Sequence, residues 1–302
     1  MPKISIIMPL FNAATHVEKS VQSFLKQSLK DIELIIINDF STDESLELVK
    51  PYLKDKRIRL INNEKNLGVF ASRNIGVFAA NAKLILFMDA DDYLHERACE
   101  IAFKLQDKAD ILCFEALVNR KKAKAFYKFK DDKLYQRDEF LTFLSSKKHF
   151  INSVWAKLFK KELITQALTL IDYKQRLNYS EDLLFCYLNF FFSKSVFCSK
   201  AQIYTYNFNE NGLYQSNDLA LLKSHLKDNE MVLKLIKSLS KGFKHKKFNT
   251  TLIFALKNES KNLKYRIKKL QGNLKFYDML YLRIRKKAAK IFLNSHKISW
   301  KM

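Results

Sequence analysis

Residues 84–94 read LILFMDADDYL, an apolar run that stops abruptly on the carboxylates Asp89, Asp91 and Asp92. An unbroken aliphatic run of this length is the pattern of a strand buried on both faces. Three carboxylates within four residues repel one another, and a divalent cation is an economical way to keep them ionised together. The competing interpretation is a solvated acidic turn that leads into the next helix. Asp89 argues against it, because it directly continues the apolar run 84–88.

The same grammar extends outward in both directions. Apolar runs at 4–8, 32–37 and 58–61 precede residue 84, and a fifth follows at 111–114. Between them lie segments with helical spacing. Thr15 with Glu18, and Ser41 with Glu44, read as capping boxes; residues 68–81 and 96–106 read as further helices. Doubly buried strands alternating with helices of about a dozen residues indicate a doubly wound, mostly parallel α/β sheet with right-handed crossovers. Ligands of such sheets sit beyond the carboxyl ends of the strands. The residues at those ends are Pro9, Phe11 and Asn12, then Asn38, Asp39, Ser41 and Asp43, then Asp89, Ala90, Asp91 and Asp92.

Composition narrows the choice. Five Gly and three Pro in 302 residues argue against a turn-rich β sandwich or barrel and predict that helices dominate. No stretch reads G-x-G-x-x-G or G-x-x-x-x-G-K-[ST], so phosphates, if bound, are held by another device. Cys99, Cys113, Cys186 and Cys198 form no C-x-x-C pair and read as reduced core thiols. The N-terminal run is too short for a signal peptide, and the longest apolar stretch, 183–192, is too short to span a bilayer. A cytoplasmic or peripheral protein is expected.

Three regions are expected: an α/β core at 1–115, an acceptor and catalytic region at 116–217, and a basic helical region at 218–302. In the middle one, the Lys-rich stretch 123–135 alternates with aromatics as a hairpin does, and Ser180-Glu181-Asp182 caps the apolar helix 183–192. Residues 219–302 carry twenty-two Lys and Arg against four Asp and Glu, which is most of the net charge of +23. Leu233, Leu235, Ile236, Leu239, Leu252, Ile253, Leu256, Leu263 and Ile267 recur there at helical spacing. An anionic membrane surface is the favoured partner of such amphipathic helices; a solvated face packed on a core and nucleic acid are the alternatives. No nucleic-acid motif is present.

In order and spacing, SIIMPLFN (5–12), IIINDFSTDES (35–45), NEKNLGVFASRNIG (63–76), FMDADDYL (87–94) and YSEDLLF (179–185) resemble family-two glycosyltransferases of the GT-A fold. Within that family the chain looks similar to bacterial transferases that extend lipooligosaccharide or capsule, including β-1,3-galactosyltransferases. The resemblance implies a UDP-sugar donor, Mn²⁺ or Mg²⁺ as cofactor, and a lipid-linked glycan acceptor reached from the inner face of the cytoplasmic membrane. It implies that Pro9, Phe11 and Asn12 flank the uracil, that Asp39 accepts from the uracil ring N–H, that Asp89 meets the ribose and Asp91 the metal, and that Arg73 and Ala90 belong to the donor pocket. An ion that neutralises the diphosphate would explain the lack of a glycine-rich cradle.

By the same resemblance Asp182 is the catalytic base of an inverting transfer, and Trp155, Lys157 and Glu181 are candidates for the acceptor side. A helix N-terminus lowers a carboxylate pKa whereas a base profits from a raised one, so burial would have to offset the dipole at Asp182. The chain departs from the family pattern at Phe11, where Tyr is common, at Asn38, where Asp is common, at Phe40, where a small residue is common, and at Thr205, where His is common. His95 reads as a surface residue at a helix start. A polyprenyl-phosphate acceptor is the alternative within the same fold; a basic membrane- or RNA-binding module is the alternative outside enzymes. The acidic cluster counts against the latter.

Overall fold

The computed structural model describes residues 1–119, 124–146, 152–208 and 217–273. They cluster into two units. The first comprises residues 1–137, 153–178 and 185–208, and the second residues 138–152, 179–184 and 209–302.

The first unit is built on one sheet. Its opening half follows the periodic pattern: β1 (Ile4–Leu10), α1 (Val17–Leu25), β2 (Ile32–Asn38), α2 (Ser45–Val49), β3 (Ile58–Asn62), α3 (Val69–Ala79) and β4 (Leu84–Phe87). These four strands run parallel in the order β3-β2-β1-β4. All seven residues of β2 and all four of β4 are buried, so each face is covered, as the unbroken aliphatic runs require. The register sets Leu10 beside Asn38 and Asn38 beside Asn62. The carboxyl ends of β1, β2 and β3 therefore share one edge.

Beyond β4 antiparallel strands join the mostly parallel sheet. β5 (Tyr93–Leu94), α4 (Ala98–Lys104), β6 (Ile111–Asn119), β7 (Lys124–Tyr127) and β8 (Lys133–Gln136) come first, then α5 (Arg137–Ser146) in the second unit. β9 (Lys157–Lys160), α6 (Lys161–Leu168), α7 (Glu181–Phe192) and β10 (Ser195–Asn207) follow. β9 is inserted antiparallel between β4 and β6, and β10 lies parallel to β6 and antiparallel to β5. β6, β9 and β10 all belong to this sheet, so residues 116–217 do not stand as a block of their own. Nor does the Lys-rich stretch close on itself: β7 pairs with β6 and β8 with β10. Ala123 of that stretch lies outside the described residues.

Neither capping box forms. α1 starts at Val17 without a side-chain cap, and the start of α2 is held by Asp43, whose Oδ1 accepts from the Ser45 N–H. Ser41 is drawn instead to the chain ends of the strands. All four cysteines are buried free thiols.

In the second unit, α8 (Leu219–Leu239) and α9 (Lys246–Leu270) pack along each other. Asn229 donates from Nδ2 to Leu256 O at 2.9 Å and to Ser260 Oγ at 2.8 Å, which pins the pair at mid-length. Tyr179 stacks on His225 at 4.4 Å and donates its hydroxyl to Glu259, in a cluster with Leu222, Leu263 and Ile267. Of the apolar stripe, Ile236, Leu252, Leu256, Leu263 and Ile267 are buried, Leu233, Leu235, Leu239 and Ile253 are half-buried, and the lysines of the two helices face solvent. The remainder of the basic region, 274–302, lies outside the described residues. Among the described residues no helix is long and apolar enough to cross a membrane.

Candidate active site at the carboxyl edge of the strands

The loops after β1 and β2 are laced together. The Asp39 N–H donates to Leu10 O at 2.8 Å, the Ser41 hydroxyl donates to Leu10 O, and the Asn12 N–H donates to Ser41 Oγ at 3.3 Å. Asn12 Oδ1 accepts from the Thr42 N–H at 2.8 Å, and Asp43 Oδ2 from the Ala14 N–H at 3.1 Å. Pro9 is the last residue but one of β1, opposite Ile37. Phe11 and Phe40 are left exposed on this edge.

Asp39 is buried, and its carboxylate holds a strap. Oδ1 accepts from Asn63 Nδ2 at 2.8 Å and the Leu67 N–H at 2.7 Å; Oδ2 accepts from the Gly68 N–H at 2.8 Å. Segment 63–68 is thereby tied to β2, and α3 starts from Gly68. A carboxylate accepts about four hydrogen bonds, so Oδ2 retains capacity for one more donor. At Gly68, φ is +86° and an added Cβ would lie 2.8 Å from Asn178 Oδ1, so both conformation and space call for glycine. Asn178 itself accepts from the Val69 N–H at 2.9 Å.

The acidic segment after β4 does not converge on one point. Asp92 is turned inward, where Oδ2 accepts from the Tyr204 hydroxyl at 2.6 Å and Oδ1 from the Asn207 N–H at 2.7 Å. The Tyr204 oxygen also accepts the Asp89 N–H at 3.1 Å. Burial, then Asp89 and Asp91, push the Asp92 carboxyl well above its usual range. Asp89 pairs with the buried Arg73, Nη2 to Oδ1 at 2.7 Å. Ala90 is buried, and its carbonyl accepts from the Ser20 hydroxyl. Asp91 is raised to about 6, by burial first and the Asp89 charge second, with Arg73 acting in the opposite direction. Among the described residues no three His, Cys, Asp or Glu side chains gather as a metal site. The expected triplet of carboxylates is thus divided: Asp92 has a structural task, while Asp89 and Asp91 remain at the edge.

The acceptor-side expectations for Trp155 and Lys157 are corrected. Trp155 is 5% exposed and stacks on Tyr204 at 5.0 Å and on Tyr206 at 5.7 Å. Lys157 is 0% exposed, and its ammonium donates to the Ser153 carbonyl. Both belong to or adjoin β9, which the sequence did not reveal as a strand, and neither presents a surface to a ligand. Glu181 is buried and Asp182 half-buried on the first turn of α7. Ser180 has φ +61°, and its hydroxyl donates to Asn229 Oδ1 at 2.8 Å rather than capping α7. His95 is not a free surface residue, since its Nε2 lies 3.0 Å from Thr205 Oγ1.

Tyr204, Asn63 and Asn178 were not among the expected site residues. Asn63 lies within the NEKNLG stretch that carries the resemblance, and Tyr204 adjoins Thr205, a position that also bears on it; Asn178 reaches the edge from a position that no local pattern marks.

A family model described as "Glycosyl transferase family 2" matches residues 5–166. The uncharacterized glycosyltransferase EpsJ of Bacillus subtilis (strain 168) is 31% identical over 235 residues, covering 75% of this chain and 67% of that protein. A cholesterol galactosyltransferase of Borreliella burgdorferi is 29% identical over 242 residues, covering 76% of this chain and 66% of that protein. The chain spans about two thirds, in some cases less, of the length of such relatives. Among solved structures, S. aureus TarS 1–349 in complex with UDP-GlcNAc superposes with a TM-score of 0.65 at 18% identity, covering 88% of this chain and 73% of that one. That likeness shows a GT-A fold.

Proposed function

The chain belongs to glycosyl transferase family 2, and from that membership we propose that it transfers a hexose from a UDP-sugar to a hydroxyl group of a lipid-linked glycan, inverting the anomeric carbon. The observation that carries the reading is the edge itself. Asp89 held by Arg73, Asp91 beside it, and Asp39 bound to the strap lie at the carboxyl ends of parallel strands, where this class of sheet takes its ligands. The UDP-GlcNAc complex of TarS supports a uridine nucleotide as donor carrier. The named activity of the Borreliella relative supports galactose as the sugar. A β-1,3 linkage onto lipooligosaccharide or capsular glycan follows the sequence resemblance.

In this reading Phe11, Pro9 and Asn12 flank the base, and the spare acceptor position on Asp39 Oδ2 suits its ring N–H. Asp182 takes the proton of the acceptor hydroxyl as that oxygen bonds to the anomeric carbon and the bond to UDP breaks on the opposite face. Asp91, with Asp89 next to it, would hold a divalent ion: a carboxyl raised to about 6 by burial and a like charge is one that positive charge would relieve, which supports that reading. Mn²⁺ or Mg²⁺ bound there would supply charge against the departing diphosphate. The solvent-facing lysines of α8 and α9 favour an anionic inner-leaflet surface.

The test is UDP release from a panel of UDP-sugars with a lipooligosaccharide-type acceptor, with and without Mn²⁺, comparing wild type with Asp91→Ala. Turnover of one donor, stopped by chelation and by the substitution, is expected. Consumption of no donor, with strong binding to anionic lipid or RNA, would overturn the enzymatic reading.

A further inference from the structure

Four non-glycine residues among those described have positive φ: Asn12 at +49°, Phe40 at +65°, Ala156 at +53° and Ser180 at +61°. Asn tolerates this left-handed region because its short amide bonds locally, and Ala and Ser are small. Phe40 has neither excuse. Its backbone conformation is one that glycine adopts freely and a bulky side chain adopts at a cost. Burial does not repay that cost, because Phe40 is 52% exposed.

Its position suggests what does. Phe40 directly follows Asp39, whose N–H is bonded to Leu10 O, and Phe11 directly follows Leu10. Leu10 and Asn38 are register partners on adjacent parallel strands, so the two aromatic residues leave the same edge from neighbouring strands. Phe11 is 48% exposed. Two large aromatic surfaces are thus kept in water on either side of a laced turn, next to a carboxylate with one acceptor position unused. Aromatic side chains with free faces are the common means of holding a nucleobase, since every base has a π-face to stack.

We propose that Phe40 is a nucleobase-contacting, specificity-determining residue: with Phe11 it holds the pyrimidine ring of a nucleoside diphosphate. The inference rests on the nucleotide-sugar reading and deepens it. The strained turn is retained because the ring it projects binds the base.

The experiment measures binding of UDP and of inorganic pyrophosphate, both with Mn²⁺, by calorimetry, together with thermal stability, for wild type, Phe40→Gly, Phe40→Leu and Phe40→Trp. Phe40→Gly should melt higher than wild type, because the strain is relieved, and yet bind UDP about tenfold more weakly, as expected for one lost stacking contact. Phe40→Leu should share the loss, Phe40→Trp should retain UDP affinity, and pyrophosphate binding should be unchanged throughout. Unchanged UDP affinity in Phe40→Gly overturns the inference and leaves the nucleotide-sugar reading standing. Equal loss of UDP and pyrophosphate also overturns it, because the effect would then not depend on the base. Failure of wild type to bind UDP at all overturns both.

Discussion

Arg73 and Asp89 form an ion pair of 2.7 Å in which the guanidinium side is 6% exposed and the carboxylate side 25%. Arg73 comes from the buried face of α3, and Asp89 from the residues just past β4. The arginine is the fixed cation among three neighbouring carboxylates. It offsets part of their mutual repulsion.

Replacing Arg73 with Met should therefore destabilise the fold by about 2–4 kcal/mol, because a partly buried carboxylate loses its partner and the like charges of Asp89 and Asp91 go uncompensated. Urea titration checks this. The double variant Arg73→Met, Asp89→Asn should recover a substantial part of the loss; simple additivity of the two would show that the pair is not coupled.

Glu33 offers a pH test away from the site. Burial by itself raises its carboxyl, but hydrogen bonds from Ser5 Oγ at 2.6 Å, the Asn81 N–H at 2.7 Å, Asn81 Nδ2 at 2.9 Å and Arg59 outweigh burial and hold it below the usual value. A carboxyl with a depressed folded pKa stabilises above its unfolded pKa, and that contribution is lost as pH falls through the folded value. Glu33→Gln should cost about 1–3 kcal/mol at pH 7 and progressively less below about pH 4. Denaturant midpoints compared across that range decide it; a gap that does not change with pH would contradict the assignment.

Gly76→Ala sets two effects against each other inside α3. Helix propensity favours Ala by about 1 kcal/mol. An added Cβ, however, would come closer to Ile7 Cγ2 than van der Waals contact allows. Overpacking of a close-packed interior costs about 1–3 kcal/mol, so net destabilisation is expected, readable as a lowered Tm. A raised Tm would mean that α3 can move off β1.

Asp182→Asn keeps the size and removes the basicity of the proposed general base. Transfer should fall by about 10²–10⁴-fold while UDP affinity stays within about twofold of wild type. Single-turnover transfer and calorimetric UDP binding, measured on the same preparation, separate the two. Equal loss of both would assign Asp182 to donor binding instead.

The parallel half of the fold was legible because its signals are local. The runs at 4–8, 32–37, 58–61 and 84–88 each became a strand, buried throughout or nearly so except at 58–61, where only Ile58 is buried, and the helices between them came out within a few residues of their expected bounds. Beyond it the run 111–114 also marked β6, but the strands on either side of β6 were not legible. β9 is four residues long and carries Lys157 inward, so it has no hydrophobic period to read. β10 runs thirteen residues through polar positions and earns its place only by pairing with β5, β6 and β8. Likewise the stripe of Leu252, Leu256, Leu263 and Ile267 was correctly read as amphipathic, but which surface it covers depends on a partner helix.

By itself the sequence determined the α/β class, the strand ends at which the candidate site lies, and the residue types gathered there. Those properties follow from the period of burial and from where apolar runs stop, which neighbouring residues settle among themselves. The tertiary structure alone decided what each side chain does. Asp92 was indistinguishable from Asp91 until Tyr204, 112 residues away, took its carboxylate; Asp39 became the anchor of a strap; Trp155 and Lys157 went into the interior. Such assignments depend on strand order and register across long stretches of chain, and contacts of that range leave no trace in a local pattern.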